Sequence, residues 1–529
     1  MGVWAKSLQI FNGLCDNGKQ SVRRIAHQTG FSKSSVHRLQ QAKARRNTHP
    51  ESWWWDTEDG RCWLIRLVVA TLYTFGLTRG VGAETISAFF GRLRLETHVG
   101  CSPSALRGMM QALEPMLLET AAAWEREGIA AGEVRPIIGA VDETFLERMM
   151  LVFMDLVSGY VLFEEVAEDR TYTTWYALVE ARLEALGVGV VYLVSDRAKA
   201  LIKLAEQGLE CLSIPEVFHL IHDLVKSYSL AICGPLRQAQ QACSHARESL
   251  TTCQASQRSS DEAQQAQAEV EARAAEVERW ARVHSAYRHH LETVSLIVHP
   301  WRLVDSTPQT SQEVESRLHA EIDAITALIE THGLPAKKKT LAKVRTQLAG
   351  LSALVDLWWQ RVWQDGQQVV LTPIWKRWVG EHLLPLMYWQ HQVSRTRCPR
   401  RKGKLLQALE SVQDAFDTHL ITKQLAPEVL AGWKAWAAEH AKAFQRASSA
   451  VEGRNGALAQ LHHNQRGVPK RRYKVWTVLH NFDCRAPDGT TPAARFFRRE
   501  FPDLFETVLS TIDDLPRPRK RHQAMALCG

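Results

Sequence analysis

The sequence has no closely spaced pair of cysteines. Its ten cysteines are scattered along the chain, and no Cys-x-x-Cys pair occurs among them. This scatter is unlike a zinc site, which usually needs cysteine or histidine ligands at short spacing, and unlike a disulfide scaffold. We therefore expect reduced thiols, as in a protein of the cytoplasm.

Long apolar runs are also missing. The most apolar window, residues 62–77, is interrupted by Arg66 and is too short to span a bilayer. The first residues of the chain do not form the apolar core of a signal peptide. Both observations predict a soluble cytoplasmic protein that does not bind membranes.

Acidic residues are scarce relative to basic ones. The net charge is +8 and the pI is about 8.9, so polyanions are plausible partners. At 529 residues the chain is too long for one compact core, and we expect three or four folded units.

The first 46 residues carry nine Lys or Arg against one acid. They predict three short helices, at residues 8–15, 22–28 and 33–44, of which Ser21 and Ser32 cap the last two. The turn between these two contains Gly30, as in a helix-turn-helix. The third predicted helix, residues 33–44, would enter a DNA major groove, while Ile25, Val36 and Leu39 pack behind it. The expected DNA contacts are Arg23, Arg24, Lys33, Ser34, Ser35, His37 and Arg38. The alternative is a small basic bundle that binds nothing specific.

Residues 47–59 read as a linker whose three consecutive tryptophans, residues 53–55, dock on a neighbouring domain. Helices are predicted at residues 84–93 and 104–123, separated by a loop with glycine and proline. This unit is either a second helix-turn-helix or a purely structural pair of helices.

Residues 134–232 alternate between strand and helix patterns. An apolar run from Ile137 ends on Asp142, and a hairpin follows, with strands at residues 149–155 and 160–166 joined by a two-residue turn at Ser158-Gly159. After a helix at residues 173–186, the apolar strand 190–195 ends on Asp196. A last strand at 211–214 and a helix at 217–230 close the unit. Two neighbouring strands that each end in an aspartate set two carboxylates side by side, which is what hard divalent cations require.

The composition changes after residue 235. Residues 235–290 are rich in Gln, Ala and Glu and predict two antiparallel helices joined near residues 259–261; a coiled coil that binds a partner is the alternative. Residues 301–450 stay helical, and their many tryptophans are expected in the core. Two basic segments, residues 337–339 and 395–404, are expected as loops that are either solvated or bound to phosphate. The second provides the candidate DNA contacts Arg400, Arg401 and Lys402.

A third acid, Glu452, lies near the start of a predicted helix that Ser449 would cap. Asn455 follows three residues later and faces the same side. The next basic stretch contains Lys470, Arg471 and Arg472, which we expect to hold DNA, and a basic tail ends the chain.

Taken in order, these motifs resemble a known family. The motifs are Val141-Asp142-Glu143, Met154-Asp155-Leu156, Ser158-Gly159-Tyr160, Val194-Ser195-Asp196 and Val451-Glu452-Gly453-Arg454-Asn455. They resemble those of the DDE transposases of bacterial insertion sequences, whose catalytic domain has the RNase H-like fold. The resemblance covers residues 134–232 and 445–500 and implies that Asp142, Asp196 and Glu452 form the catalytic, metal-binding triad. The first two acids are 54 residues apart and the last two are 256 apart; the family includes members with a large helical insertion at this point.

The resemblance implies a chemistry as well. Cleavage and strand transfer at DNA phosphodiesters need an activated oxygen nucleophile and charge relief on the leaving oxygen, which two Mg²⁺ ions, or Mn²⁺, supply to such a triad. Glu143 is expected on the opposite face of the strand, and Asp155 is expected to cap a turn. Residues that could assist near the site are Arg197, His219, His222 and Asn455.

The resulting fold class is mixed α/β and α. An RNase H-like mixed sheet flanked by helices is interrupted by a long all-helical insertion and preceded by helix-turn-helix units. The expected segments are residues 1–50 (DNA reader), 51–130 (linker and second helical domain), 131–232 and 445–510 (catalytic domain), 233–444 (insertion) and 511–529 (tail). The expected function is that of a transposase acting on double-stranded DNA, both terminal repeats and target, as a homo-oligomer in the bacterial nucleoid. The alternatives are another RNase H-like nuclease such as a resolvase, an inactive descendant that only binds DNA, or a helical scaffold.

Overall fold

The computed structural model describes residues 10–11, 14, 20–46, 48–129, 134–256, 260–366, 372–464 and 468–518. Parts of three predicted segments lie outside the described residues. They are most of the first N-terminal helix, the start of the basic stretch before Lys470, and the tail beyond residue 518.

The two described N-terminal helices form the predicted helix-turn-helix pair. Helix α1 spans Val22–Thr29 and α2 spans Lys33–Arg46. The Ser21 and Ser32 side chains accept hydrogen bonds from the backbone N–H groups of Arg24 and Ser35, as predicted for caps. Gly30 in the turn has a left-handed φ of 71°, which favours glycine. Ile25 and Val36 pack with Phe11 in a small core separate from the main one.

The next unit contains a 3-10 helix, Pro50–Asp56, and the helices α3 (Glu58–Thr71), α4 (Ala83–Arg92) and α5 (Pro103–Gly128). A short 3-10 turn, Leu95–Thr97, joins α4 to α5. Trp55 packs against the main core as predicted, whereas Trp53 is exposed.

The apolar window around Arg66 forms a longer helix than predicted. Helix α3 continues as a π-helix, Leu72–Thr78, so the continuous helix has 21 residues. By length and composition alone it is long and apolar enough to cross a membrane, and half of its most apolar window is buried within the protein. The expectation that this stretch is too short was therefore wrong.

Five strands form one mixed sheet in the order β3-β2-β1-β4-β5. Strands β1, β2 and β3 are antiparallel neighbours, and β4 and β5 run parallel to β1. Their bounds are Arg135–Phe145 (β1), Met149–Asp155 (β2), Val161–Val166 (β3), Val188–Ser195 (β4) and Leu212–Pro215 (β5). The predicted combination of a mixed sheet with many helices is confirmed at this level.

Two details of the sheet differ from the prediction. Strand β1 does not end at Asp142: its parallel pairing with β4 stops at Ala140, but its antiparallel pairing with β2 continues to Phe145. The hairpin loop has four residues, 156–159, rather than two, because Asp155 still pairs with Tyr160. The Asp155 carboxylate accepts backbone hydrogen bonds within and beside this loop, including those of Ile138 and Ser158, so its predicted role as a turn cap is confirmed.

Helices cover the sheet and extend away from it. Helix α6 spans Tyr172–Leu186, and α7 (Lys199–Lys203) continues as a π-helix, Leu204–Gly208. Helix α8, Val217–Ala255, and helix α9, Ser260–Ile297, form the predicted long hairpin. Helix α8 is longer than predicted: it runs without a break from the end of the sheet into the hairpin.

The remaining helices form a bundle and then return to the sheet. They are α10 (Ser311–Thr331), α11 (Lys338–Gly366), α12 (Pro373–Trp378), α13 (Leu384–Arg395), α14 (Pro399–Thr418), α15 (Leu420–Gln424), α16 (Pro427–Ala443), α17 (Ser449–Asn464), α18 (Lys470–Phe482), α19 (Pro492–Phe497) and α20 (Leu504–Leu509). A π-helical turn, Val379–Leu383, joins α12 to α13. The tryptophans of the bundle pack mainly against one another and the core, as predicted; Trp301, Trp378 and Trp389 are fully buried.

The basic segment 395–404 is helical where a loop was predicted. Pro399 occupies the first turn of α14, a position where proline costs no hydrogen bond and has a suitable φ. Arg400 and Lys404 lie 3.1 Å and 3.3 Å from the carboxylate of the mostly buried Glu292. The charge of Arg400 is thus partly neutralised, whereas Arg401 and Lys402 form no ion pair within the described residues. The other basic segment, residues 337–339, was also predicted as a loop. Lys337 lies before helix α11, whereas Lys338 and Lys339 are its first two residues.

Arg472 was predicted to hold DNA, and the structure contradicts this. The residue is buried, and its guanidinium donates a 2.7 Å hydrogen bond to the buried carboxylate of Glu114 on α5. A guanidinium enclosed in such a pair is not exposed to a phosphate. Its neighbours Lys470 and Arg471 are exposed and keep their predicted role.

The Arg472–Glu114 pair gives a stability prediction. We expect Arg472→Ala to destabilise the protein by about 3–5 kcal/mol, because it leaves the Glu114 charge buried without a partner. Arg471→Ala, which removes the adjacent exposed charge, should change stability by less than about 0.5 kcal/mol. Urea unfolding of the full chain followed by circular dichroism measures both; equal unfolding midpoints for the two variants would contradict the assignment.

Candidate active site

Asp142 and Asp196 lie at the same edge of the sheet. Each lies two residues beyond the last pair, Ala140 and Val194, of the adjacent parallel strands β1 and β4. Asp196 Oδ1 accepts a 2.8 Å hydrogen bond from the Ala198 backbone, which stabilises the turn after β4. Arg197 in this turn has a left-handed φ of 62°, a conformation that is unusual for a residue with a side chain.

The charges of these two aspartates interact. The pKa of Asp142 is raised to about 6. Burial is the largest cause and the negative charges of Glu143 and Asp196 add to it, while a hydrogen bond from the Glu143 backbone and the charge of His219 act in the opposite direction. The pattern is that of a partly buried carboxylate that faces other carboxylates.

Glu452 lies on the first turn of α17. Its backbone N–H donates to the Ser448 carbonyl at 3.1 Å, so Ser448 stands at the cap position, and the predicted cap Ser449 is the first helical residue. One ligand atom each of Glu216, His219 and Glu452 lies within 4.8 Å of the others. Burial raises the pKa of Glu452, and the charge of Glu216 adds to the effect.

Glu216 is a site residue that the sequence analysis missed. It is almost completely buried, and its Oε1 accepts a 2.9 Å hydrogen bond from the Ser448 backbone N–H, while Oε2 is hydrogen-bonded to His219 Nδ1. Burial raises its pKa, but the hydrogen bonds from His219 and Ser448 outweigh this and leave the pKa lowered. A signal was available, because Glu216 follows the end of β5 just as Asp196 follows β4.

His219 interacts with acids from three parts of the site, Glu216, Glu452 and Asp196. Its hydrogen bond to Glu216 raises its pKa against the effect of burial, and the charges of Glu452 and Asp196 add to the rise. The exposed His222 stacks on Phe218 with ring centroids 6.1 Å apart, and its charge lowers the pKa of Glu452. Both histidines named in the sequence analysis therefore lie near Glu452.

Asn455 joins the helix of Glu452 to the strand of Asp142. Its Nδ2 donates a 2.8 Å hydrogen bond to Asp142 Oδ2. This orientation follows from chemistry, because the amide oxygen would repel a carboxylate. Asn455 Oδ1 is buried and has no hydrogen-bond partner within the described residues.

Helix α17 has a second anchor in the core. The buried Arg454 donates hydrogen bonds of 2.6 Å and 2.8 Å to both carboxylate oxygens of Glu164 on β3. Thr477 of α18 donates to the same carboxylate. This network determines which face of α17 turns toward the sheet edge.

The remaining candidate residues of the sequence analysis pair with other residues or belong to the N-terminal unit. Glu143 pairs with Arg170. Arg197 is half-buried, and its guanidinium lies beside Gly350 of α11. In the N-terminal unit Arg23, Arg24, Lys33, Ser34, His37 and Arg38 are exposed, and Ser35 is half-buried.

The residue types of the expected triad fit hard divalent cations. Asp142, Asp196 and Glu452 offer carboxylate oxygens, which Mg²⁺ and Mn²⁺ prefer, and no thiol is required. The ligand atoms that lie within 4.8 Å of one another are those of Glu216, His219 and Glu452, and this group includes neither aspartate. Burial is the main cause of the raised pKa values of Asp142 and Glu452, and neighbouring acids add to both; a bound cation would favour the ionised carboxylates. The described cysteines are all free thiols.

The comparisons with known proteins are sparse. A family described as a family of unknown function, DUF6399, matches residues 379–524. The matched segment contains Glu452, Arg454 and Asn455 but neither aspartate and none of the sheet. Among curated proteins, none matches the chain.

The pKa of Asp142 gives a pH prediction. Because this pKa is raised to about 6 in the folded protein, the folded state binds more protons than the unfolded state between roughly pH 4 and pH 6, and stability falls as the pH rises through this window. We expect Asp142→Asn to be more stable than wild type at pH 7.5, by at most about 3 kcal/mol, and not at pH 4. Thermal unfolding midpoints against pH measure this; Glu143→Gln is the comparison variant. A wild-type midpoint that rises between pH 4 and pH 6 relative to Asp142→Asn would contradict it.

Proposed function

We propose that the protein is a metal-dependent transposase that binds the ends of a mobile DNA element and catalyses DNA cleavage and strand transfer. On this proposal residues 131–232 and 445–510 form an RNase H-like catalytic domain with a helical insertion between them. The mixed five-stranded sheet and the long helical segment after it support this reading.

The observation that carries the proposal is a contact between the parts of the chain before and after the insertion, at one end of the sheet. Asp142 and Asp196 precede the insertion and Glu452 follows it, yet Asn455 on the Glu452 helix bonds directly to Asp142. A purely structural helix contact would not need the half-buried Asp142 and Glu452 and the buried Glu216 beside it, because each carboxylate withdrawn from water costs free energy.

Two Mg²⁺ ions held by Asp142, Asp196 and Glu452 would supply an activated oxygen nucleophile and relieve charge on the leaving oxygen. The protein itself holds the carboxylates in place. Asn455 orients Asp142, and Glu216 fixes both His219 and the start of α17. A protonated His219 adds positive charge between Asp196 and Glu452, where a DNA phosphate would approach.

The N-terminal unit fits the task of reading DNA ends. Its exposed candidate DNA contacts are basic or hydroxyl-bearing, and they lie on and beside the second helix of a helix-turn-helix, the element that enters a major groove. Its core is separate from that of the rest of the chain, so it can bind DNA as a unit of its own.

The triad gives the main catalytic prediction. Asp142→Asn, Asp196→Asn and Glu452→Gln should each lower Mg²⁺-dependent cleavage of labelled terminal-repeat DNA by about 10³-fold or more, because each removes a charged cation ligand. Binding of the same DNA, measured by mobility shift, should be unchanged.

Glu143→Gln is the matched control for the triad. This carboxylate is adjacent to Asp142 in the strand but pairs with Arg170, so the variant should cut at close to the wild-type rate. Full cutting by all three triad variants would refute the proposal. An inactive wild-type protein that still binds the repeats would favour a DNA-binding protein without catalysis.

The N-terminal reader gives a second prediction. The double variant Lys33→Ala/Arg38→Ala should reduce discrimination between terminal-repeat and random DNA by about ten-fold or more, since base contacts typically contribute about 1–3 kcal/mol each. Competition mobility shifts measure this ratio, and Lys43→Ala, at the far end of the same helix, is the control. Unchanged discrimination would place end recognition elsewhere in the chain.

A further inference from the structure

The outer face of helix α8 begins beside the proposed active site and leads away from it. Phe218 and His222 lie one turn apart on this face, and both are exposed. His222 is close enough to Glu452 for its charge to lower the pKa of that acid. Lys226 follows one turn later and is also exposed. The face thus carries a phenyl ring, an imidazole and an ammonium group in line.

The basic segment Lys337–Lys339 adjoins the far end of this face. The Lys337 backbone N–H donates a 3.2 Å hydrogen bond to the Tyr228 hydroxyl of α8. The hydroxyls of Ser227 and Thr340 lie 3.1 Å apart. These two contacts pack the start of helix α11 against the turn of α8 that carries Lys226, so Lys337–Lys339 lie near Lys226. We call Phe218, His222, Lys226 and Lys337–Lys339 the α8 track.

The charge on the track is not neutralised by neighbouring acids. Among the described residues, no carboxylate forms an ion pair with Lys226 or with any of the three lysines at the start of α11. Asp223, the acid of α8 nearest to the track, is paired at 2.7 Å with Lys343. Four exposed ammonium groups of one sign are complementary to a phosphate backbone.

Phe218 adds a different kind of contact. Its side chain is 51% exposed, and its ring packs on His222 rather than in the core. An exposed aromatic ring next to a line of lysines is the combination that binds unpaired strands, because bases stack on the ring and phosphates follow the charges. A fully paired duplex offers no base face to such a ring.

We propose that the α8 track binds an unpaired DNA strand that leaves the proposed active site toward the start of α11. The inference rests on the proposed function for its substrate, DNA. From Phe218 to Lys226 the helix rises by about 12 Å, enough for several nucleotides, and Lys337–Lys339 extend the path further. The helical insertion thereby takes part in holding the substrate.

The test measures binding of a fluorescent oligothymidine to the full chain without divalent cation, by anisotropy at several salt concentrations. Each phosphate contact contributes a slope of about −0.7 to log K against log salt for single strands. The triple variant Lys226→Ala/Lys338→Ala/Lys339→Ala should therefore show a slope shallower by about 2. Phe218→Ala should bind about ten-fold more weakly with little change in slope.

The control removes the same charge from another exposed surface. Lys376→Ala/Arg377→Ala/Lys423→Ala lies on α12 and α15, and it should keep the wild-type slope. The inference is overturned if the track variant keeps the wild-type slope, if the control loses as much slope as the track variant, or if Phe218→Ala binds oligothymidine as well as wild type does.

Failure of this inference differs from failure of the proposed function. A wild-type protein that cuts terminal-repeat DNA while the track variant keeps its salt slope overturns the track alone. A wild-type protein that never cuts, but whose oligothymidine binding depends on the track as described, overturns the catalytic proposal alone.

Discussion

The candidate site depends on how helix α17 is held against the sheet. The chain leaves the sheet after β5, and the segment before α17 packs back on it through the Tyr192 hydroxyl of β4, which donates to the Ala443 and Gln445 carbonyls. Chain connectivity alone does not fix the orientation of the helix that carries Glu452. Three polar contacts place it instead: Ser448 to Glu216, Arg454 to Glu164, and Asn455 to Asp142. They reach the β5 end, β3 and β1 respectively. Because hydrogen bonds and ion pairs are directional, they determine the rotation and the position of the helix as well as its proximity.

The same contacts explain the unusual charge balance of this edge. Glu164 is matched by Arg454, but Asp142, Asp196 and Glu452 have no such partner of opposite charge among the described residues. Glu216 is hydrogen-bonded to His219, whose pKa is also raised by the charges of Glu452 and Asp196. The acids that hold the helix in place, Glu164 and Glu216, thus have partners of opposite charge, whereas the three acids of the proposed triad do not within the part of the chain that the structure describes. On the proposed function, this difference separates the residues that support the site from those that would bind a cation.

The sequence predicted the strands and their order along the chain well, because apolar runs ending in turn residues are local signals. Asp142 and Asp196 could be found in this way. Glu216 was missed because the strand predicted at residues 211–214 ended two residues before it, whereas β5 extends through Pro215. The burial of Arg472 could not be predicted, because its partner Glu114 is 358 residues away and nothing local distinguishes it from the exposed Arg471. The segment 395–404 was predicted as a loop, but Pro399 begins a helix there, because proline can begin a helix as well as end one.

Helix α8 couples two parts of the molecule that would otherwise be independent. It spans 39 residues, about 58 Å at the usual rise per residue, with His219 in its first turn and the hairpin end at its last. Pro235 lies inside the helix and removes one of its backbone hydrogen bonds, so the helix can bend between its two ends. The turn that carries His219 and the long hairpin are thus continuous in one helix that has a weaker point at Pro235.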